Sequence, residues 1–135
     1  MKIGIIKEGK TPPDKRVPFT PQQYKQILSQ FDNVEIVVQP SNIRAFPDEA
    51  YKESGIPLQE NLSDCDVIMG VKEVNIEDLI PEKRFIFFSH TFKQQPYNRK
   101  LLQAILKRKI ALTDYETMTD KKGKRLIGFG RYAGI

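Results

Sequence analysis

Five short apolar runs, at residues 3–6, 34–38, 67–71, 85–88 and 110–112, recur along the chain with longer polar segments between them. Each is too short to be the core of a helix and is apolar at consecutive positions, which marks strands buried on both faces. The segments between them carry helical signals. Residues 21–31 open at Thr20-Pro21, a capping residue followed by proline at the first helical position. Within residues 98–107, Leu101, Leu102, Ile105 and Leu106 fall on one helical face. Covered strands alternating with helices predict an α/β fold: a three-layer, mostly parallel, Rossmann-like (flavodoxin-like) sheet with helices on both faces. After the fifth run, Asp120 to Gly123 reads as a turn and residues 124–129 as a returning antiparallel or edge strand.

The 135 residues suffice for one domain with its own core. The single cysteine, Cys65, stands between Asp64 and Asp66, whose charges would raise a thiol pKa, so a buried inert thiol is expected. With one cysteine, no run approaching the length of a membrane span and no signal-peptide pattern, the sequence reads as cytoplasmic with no membrane partner. A net charge of +5 raises the question of nucleic acid. Apart from residues 107–109 and 121–125 the basic residues are scattered, and no nucleic-acid-binding motif accompanies them, so no nucleic-acid partner is expected. The first basic cluster lies where a helix should end, complementing its dipole.

In an open α/β sheet, ligands sit beyond the carboxyl ends of the strands. The third run ends at Gly70-Val71-Lys72-Glu73 and the fourth at Ser89-His90, so Lys72 and His90 can reach one crevice from neighbouring strands. The first run leads to a loop carrying Arg16, and the fifth ends at Asp114-Tyr115-Glu116. Two proton-exchanging groups with a guanidinium able to hold a carboxylate form an acid/base site. Taken singly, each has an ordinary alternative: a hydrogen-bonded structural histidine, a solvated lysine, an exposed arginine, a turn glutamate. The glycines of residues 128–134 lack the G-x-G-x-x-G spacing, so no dinucleotide fingerprint is read here. One histidine and one cysteine leave a zinc site short of ligands, and no metal is expected.

The opening stretch KIGIIKEGKTPPDKRVPFTP resembles the N-terminal domain shared by alanine dehydrogenase, transhydrogenase and the saccharopine-forming enzymes. IMGVKEV and FFSHTFKQQPYNRKLLQAILKRKIALTDYETMTDKKGKRLIGFGRYAG are most similar to lysine–2-oxoglutarate reductase, and next to saccharopine dehydrogenase. The resemblance implies reversible reductive amination of a 2-oxo acid with NAD or NADP. It makes Lys72 and His90 the acid/base pair and Arg16 the ligand of a substrate carboxylate, with Lys93, Glu73 and Glu116 as polar supports in the cleft. Glu73 after Lys72 follows the alanine and saccharopine dehydrogenase pattern; the reductases carry arginine there.

The family binds its cofactor on a second Rossmann domain, beyond a helix beginning near Tyr132. Residues 1–135 are therefore expected to be an N-terminal catalytic, substrate-binding fragment with no cofactor of its own, inactive alone. An exposed apolar patch and self-association into homo-oligomers are expected with it. The implied partners are a small-molecule amino acid and a 2-oxo acid, together with the missing cofactor domain. An alanine dehydrogenase using pyruvate and ammonia, and a non-catalytic module that binds an amino or oxo acid, are the competing readings.

Overall fold

A computed structural model describes residues 1–128. The glycine-rich stretch from Phe129 onward, the far end of the expected return strand and the expected helix near Tyr132 lie outside the described residues. All five apolar runs form strands: β1 (Lys2–Ile5), β2 (Glu35–Val38), β3 (Val67–Met69), β4 (Arg84–Phe87) and β5 (Ala111–Asp114). They lie in the order β2-β1-β3-β4-β5, and every pairing is parallel. Parallel neighbours need long crossovers, and α1 (Pro21–Gln30), α2 (Asp48–Glu53) and α3 (Arg99–Lys107) lie in these connections.

Alternation along the strands divides the apolar side chains between two layers. Ile5, Ile36 and Val38 pack with Tyr24 of α1 and Tyr51 of α2, whereas Val37, Ile68, Phe85 and Phe87 pack with Leu101 and Ile105 of α3. The result is the expected three-layer arrangement. Gly4 is where the β2–β3 connection presses on the sheet, since a Cβ there would lie 2.8 Å from the Cys65 sulfur. Cys65 is fully buried, and its thiol pKa is pushed up to about 11, first by burial and then by Asp64. Burial, more than the neighbouring carboxylates, makes it inert.

The helix ends show why these segments fold as they do. Thr20 caps α1 by accepting from the Gln23 N–H at 3.3 Å, while the Gln23 side chain accepts from the Thr20 N–H at 2.8 Å, with Pro21 at the first helical position. At α3, residues 96–98 form a separate tight turn, so the helix begins at Arg99. Only half of the apolar face expected there is covered: Leu101 and Ile105 are buried, whereas Leu102 and Leu106 point outward with Phe92 and Tyr97 also exposed. The basic cluster at its end does more than complement a dipole, because Arg108 donates to the Ile76 and Leu79 carbonyls at 2.5 Å.

The turn after β5 forms as expected, but the return strand is reduced to a single antiparallel bridge between Thr119 and Arg125 within the described residues. The Asp120 side chain accepts from the Lys122 and Lys124 N–H groups and tightens the turn, and main-chain bonds from the Asp120 N–H to the Lys124 carbonyl and from the Leu126 N–H to the Met118 carbonyl flank the bridge. No helix among the described residues is long and apolar enough to cross a membrane.

Phe85 and Phe87 are both fully buried and meet edge to face at 6.2 Å. Phe85→Ala is expected to cost about 3–5 kcal/mol by urea unfolding; a loss below about 1 kcal/mol would contradict this packing.

Candidate functional site

The connections leaving β1 and leaving β3 run to opposite faces of the sheet, with Tyr24 of α1 in one layer and Val74 and Leu79 in the other, which opens a crevice above the carboxyl ends of these two strands. Glu8, just beyond β1, closes its floor. Its carboxylate accepts from the Val71 N–H at 2.7 Å and the Lys72 N–H at 2.9 Å, tying the exits of the two strands together. Gly70 makes the approach feasible, since a Cβ there would stand 3.0 Å from Ile6 and 3.4 Å from a Glu8 oxygen. Burial raises the Glu8 pKa, against the pull of its two N–H donors.

Lys72 therefore leaves β3 from a fixed backbone. It faces the loop carrying Asp14 and Arg16, where the guanidinium donates through Nε to both Asp14 oxygens, at 2.9 and 3.1 Å, and also bonds Asp14 through Nη2. The Asp14 carboxyl is held below its usual range chiefly by Arg16, with the Lys72 charge contributing. The same loop is tied to the segment after β2 by the Ala45 N–H, which donates to the Lys15 carbonyl at 2.7 Å.

A second group of side chains spans β3, β4 and β5. Glu73 accepts from Lys10 at 2.7 Å on one oxygen and meets the His90 Nδ1 at 2.7 Å on the other. Burial would raise the Glu73 pKa, but the Lys10 and His90 bonds outweigh it, and the net shift is downward. Being ionised, Glu73 can only accept, so Nδ1 carries the proton. Nε2 stands 3.9 Å from Glu116. Glu116, with a side chain 7% exposed, is ion-paired with Lys93 at 3.0 Å and with Arg125. Burial is again outweighed, here by the Lys93 and Arg125 bonds, and the Glu116 pKa is lowered.

The six residues singled out from sequence thus fall into two adjoining groups. Lys72 and Arg16 lie at the β1–β3 exits, while Glu73, His90, Lys93 and Glu116 form a chain of contacts above β3, β4 and β5. Three contributors were missed. Glu8 and Asp114 hold main-chain N–H groups and Lys10 holds Glu73. The one sequence signal for Glu8 and Asp114 was their position just past or at the end of a strand.

Two cavities open near these groups, and of the six residues only Glu73 lines either of them. One of about 730 Å³ is lined by Lys7, Glu8, Ser41, Arg44 and Asp48 among others, and one of about 550 Å³ by Lys10, Glu73, Tyr97 and Lys100 among others. Among the described residues no group of three or more His, Cys, Asp or Glu side chains is arranged to hold a metal ion.

The family described as alanine dehydrogenase/PNT, N-terminal domain matches residues 4–135. The mitochondrial alpha-aminoadipic semialdehyde synthase of Bos taurus is 43% identical over 122 residues, covering 90% of this chain and 13% of that protein. The saccharopine dehydrogenase [NAD(+), L-lysine-forming] of Emericella nidulans is 32% identical over 139 residues, covering 98% of this chain and 36% of that protein. This chain therefore spans well under half the length of either relative. A solved L-alanine dehydrogenase shares the fold, with a TM-score of 0.75 at 17% identity over 92% of this chain and 35% of the other.

Because the folded Glu73 pKa lies below its ordinary 4.5, its stabilising contribution is complete above that value and lost as pH falls through the lowered one. Glu73→Gln should therefore destabilise most at about pH 7 and least at about pH 3. Urea midpoints of both proteins across that range check it; a pH-independent gap would refute the assigned ion pair.

Proposed function

We propose a function from one plain premise: the chain belongs to the family of alanine dehydrogenase/PNT N-terminal domains. It is the substrate-holding half of an NAD(P)-dependent amino-acid dehydrogenase that carries out reversible reductive amination of a 2-oxo acid. The substrates are of the saccharopine type, L-lysine and 2-oxoglutarate. The observation that carries this reading is the 2.7 Å contact between His90 and the ionised Glu73, in the crevice where Lys72 also emerges.

The chemistry asks for a proton on the carbinolamine hydroxyl as water leaves, and for a base to take protons from nitrogen as the imine forms. With Nδ1 committed to Glu73, His90 exchanges protons through Nε2. Lys72 is the second proton carrier, on a backbone held by Glu8. Arg16 binds a substrate carboxylate, sharing its guanidinium with Asp14. Lys93 and Glu116 close the far wall of the cleft.

The described residues do not fit a dinucleotide. A pyrophosphate would need the free N–H groups of the first helix, and α1 is closed by its own capping box and by Pro21. Reduction of the imine therefore calls on a nicotinamide held by residues other than the described ones.

NADH and NADPH oxidation by the full gene product tests the reading. With 2-oxoglutarate and L-lysine, oxidation should fall by about 10²-fold or more in Lys72→Met and in His90→Gln. Turnover confined to pyruvate and ammonium would assign an alanine dehydrogenase instead. Binding of 2-oxoglutarate without turnover on either pair would leave a binding module, and turnover by the 135-residue chain alone would overturn the fragment reading.

A further inference from the structure

His90 sits in the left-handed region, at φ 55° and ψ 9°, which few residues other than glycine adopt, although histidine tolerates it better than most. Something must hold it there. The register of β4 against β5 sets Phe87 beside Asp114, so the Asp114 carboxylate lies within reach of the next residues of the β4 exit. Asp114 is buried, at 6% exposure, and its Oδ2 accepts from the Ser89 N–H at 2.9 Å, the Ser89 hydroxyl at 2.6 Å and the His90 N–H at 3.1 Å. Two successive main-chain N–H groups converging on one anionic oxygen form a nest, here filled from within the protein.

The other oxygen faces the second half of the cleft. Oδ1 accepts from the Glu116 N–H at 2.8 Å, at the start of the tight turn that follows β5. Capping that turn accounts for Oδ1 alone; it leaves the three donors on Oδ2 without a reason. One carboxylate thus sets the main chain of His90 and of Glu116 together, and the imidazole emerges with Nδ1 on Glu73 and Nε2 facing Glu116.

We propose that Asp114 is a positioning residue. Its two oxygens lock the β4 and β5 exits to each other, and this lock directs the His90 ring onto Glu73 and sets its distance from Glu116. Asp114 acts through the backbone and touches no substrate. Its catalytic meaning rests on the function proposed above, but its effect on the ring does not.

His90 is the only histidine, so its ring signals in NMR spectra of the 135-residue chain are unambiguous. Glu73→Gln is made in the native background and again in Asp114→Asn, whose amide keeps the shape but offers one acceptor oxygen where the carboxylate has two. In the native background the substitution should move the ring signals clearly. In the Asp114→Asn background the same change should move them by about half as much or less. Equal displacement in both, with both proteins folded, overturns the proposal.

Should Asp114→Asn fail to fold, Asp114→Glu keeps the charge and both acceptor oxygens but moves them away from the Ser89, His90 and Glu116 N–H groups by one methylene. A diminished ring response there supports the lock and an undiminished one refutes it. In the full gene product, Asp114→Asn should lower kcat about tenfold with KM nearly unchanged. Absence of turnover in the unmodified enzyme would sink the functional reading while the ring comparison still decides this one.

Discussion

The crevice depends on the half-buried Glu8 carboxylate, which accepts the N–H groups of Val71 and Lys72 where β1 and β3 leave the sheet. A parallel sheet leaves main-chain groups unpaired where its strands end, and a buried N–H without a partner costs about 1–3 kcal/mol. Glu8 supplies the partner from the neighbouring strand. The strand exits become rigid, and the loop from Gly9 to Thr20 can then carry Lys10 onto Glu73 and Arg16 onto Asp14. Asp114 uses the same device on the next pair of exits, β4 and β5. The carboxylates beneath satisfy backbone, and those above, Glu73 and Glu116, face histidine and lysine.

The balance of charge in the cleft follows from this layering. Asp14, Glu73 and Glu116 each hold a cation on a partner drawn from a different place in the chain or a tight local turn. Lys10, Arg16, Lys93 and Arg125 are thus each committed to a carboxylate near the crevice. The same pairing sets the histidine tautomer: an ionised Glu73 requires a proton on Nδ1.

The sheet was legible because both faces are covered, so each strand had to be apolar at consecutive positions, and α1 was legible because Thr20, Pro21 and Gln23 are capping chemistry written in side chains. Lys72 and His90 could be placed by the position of their strand ends alone. Glu8 and Asp114 could not be assigned a role, since their partners are N–H groups, which every residue but proline carries and no sequence pattern marks. The outward Leu102 and Leu106 look the same in sequence as the inward Leu101 and Ile105; only the width of sheet beneath α3 separates them. Within the described residues the return strand is cut to one bridge, where the Asp120 side chain takes the Lys124 N–H in place of a main-chain acceptor.

The placement of β1 also dictates an order of events as the chain folds. β1 is an interior strand of the finished sheet, with β2 on one side and β3 on the other. Its partner in β2 follows after one helix, but Ile3 must wait for Val67 to cover its second edge. Until then a chain growing from its N-terminus shows an unpaired apolar edge to solvent, the kind of surface that recruits strands from other molecules. Closing this non-local pairing is the slow step expected of a parallel sheet. The Glu8 bonds to Val71 and Lys72 form only when it is complete, so the crevice appears together with the finished sheet and at no earlier stage.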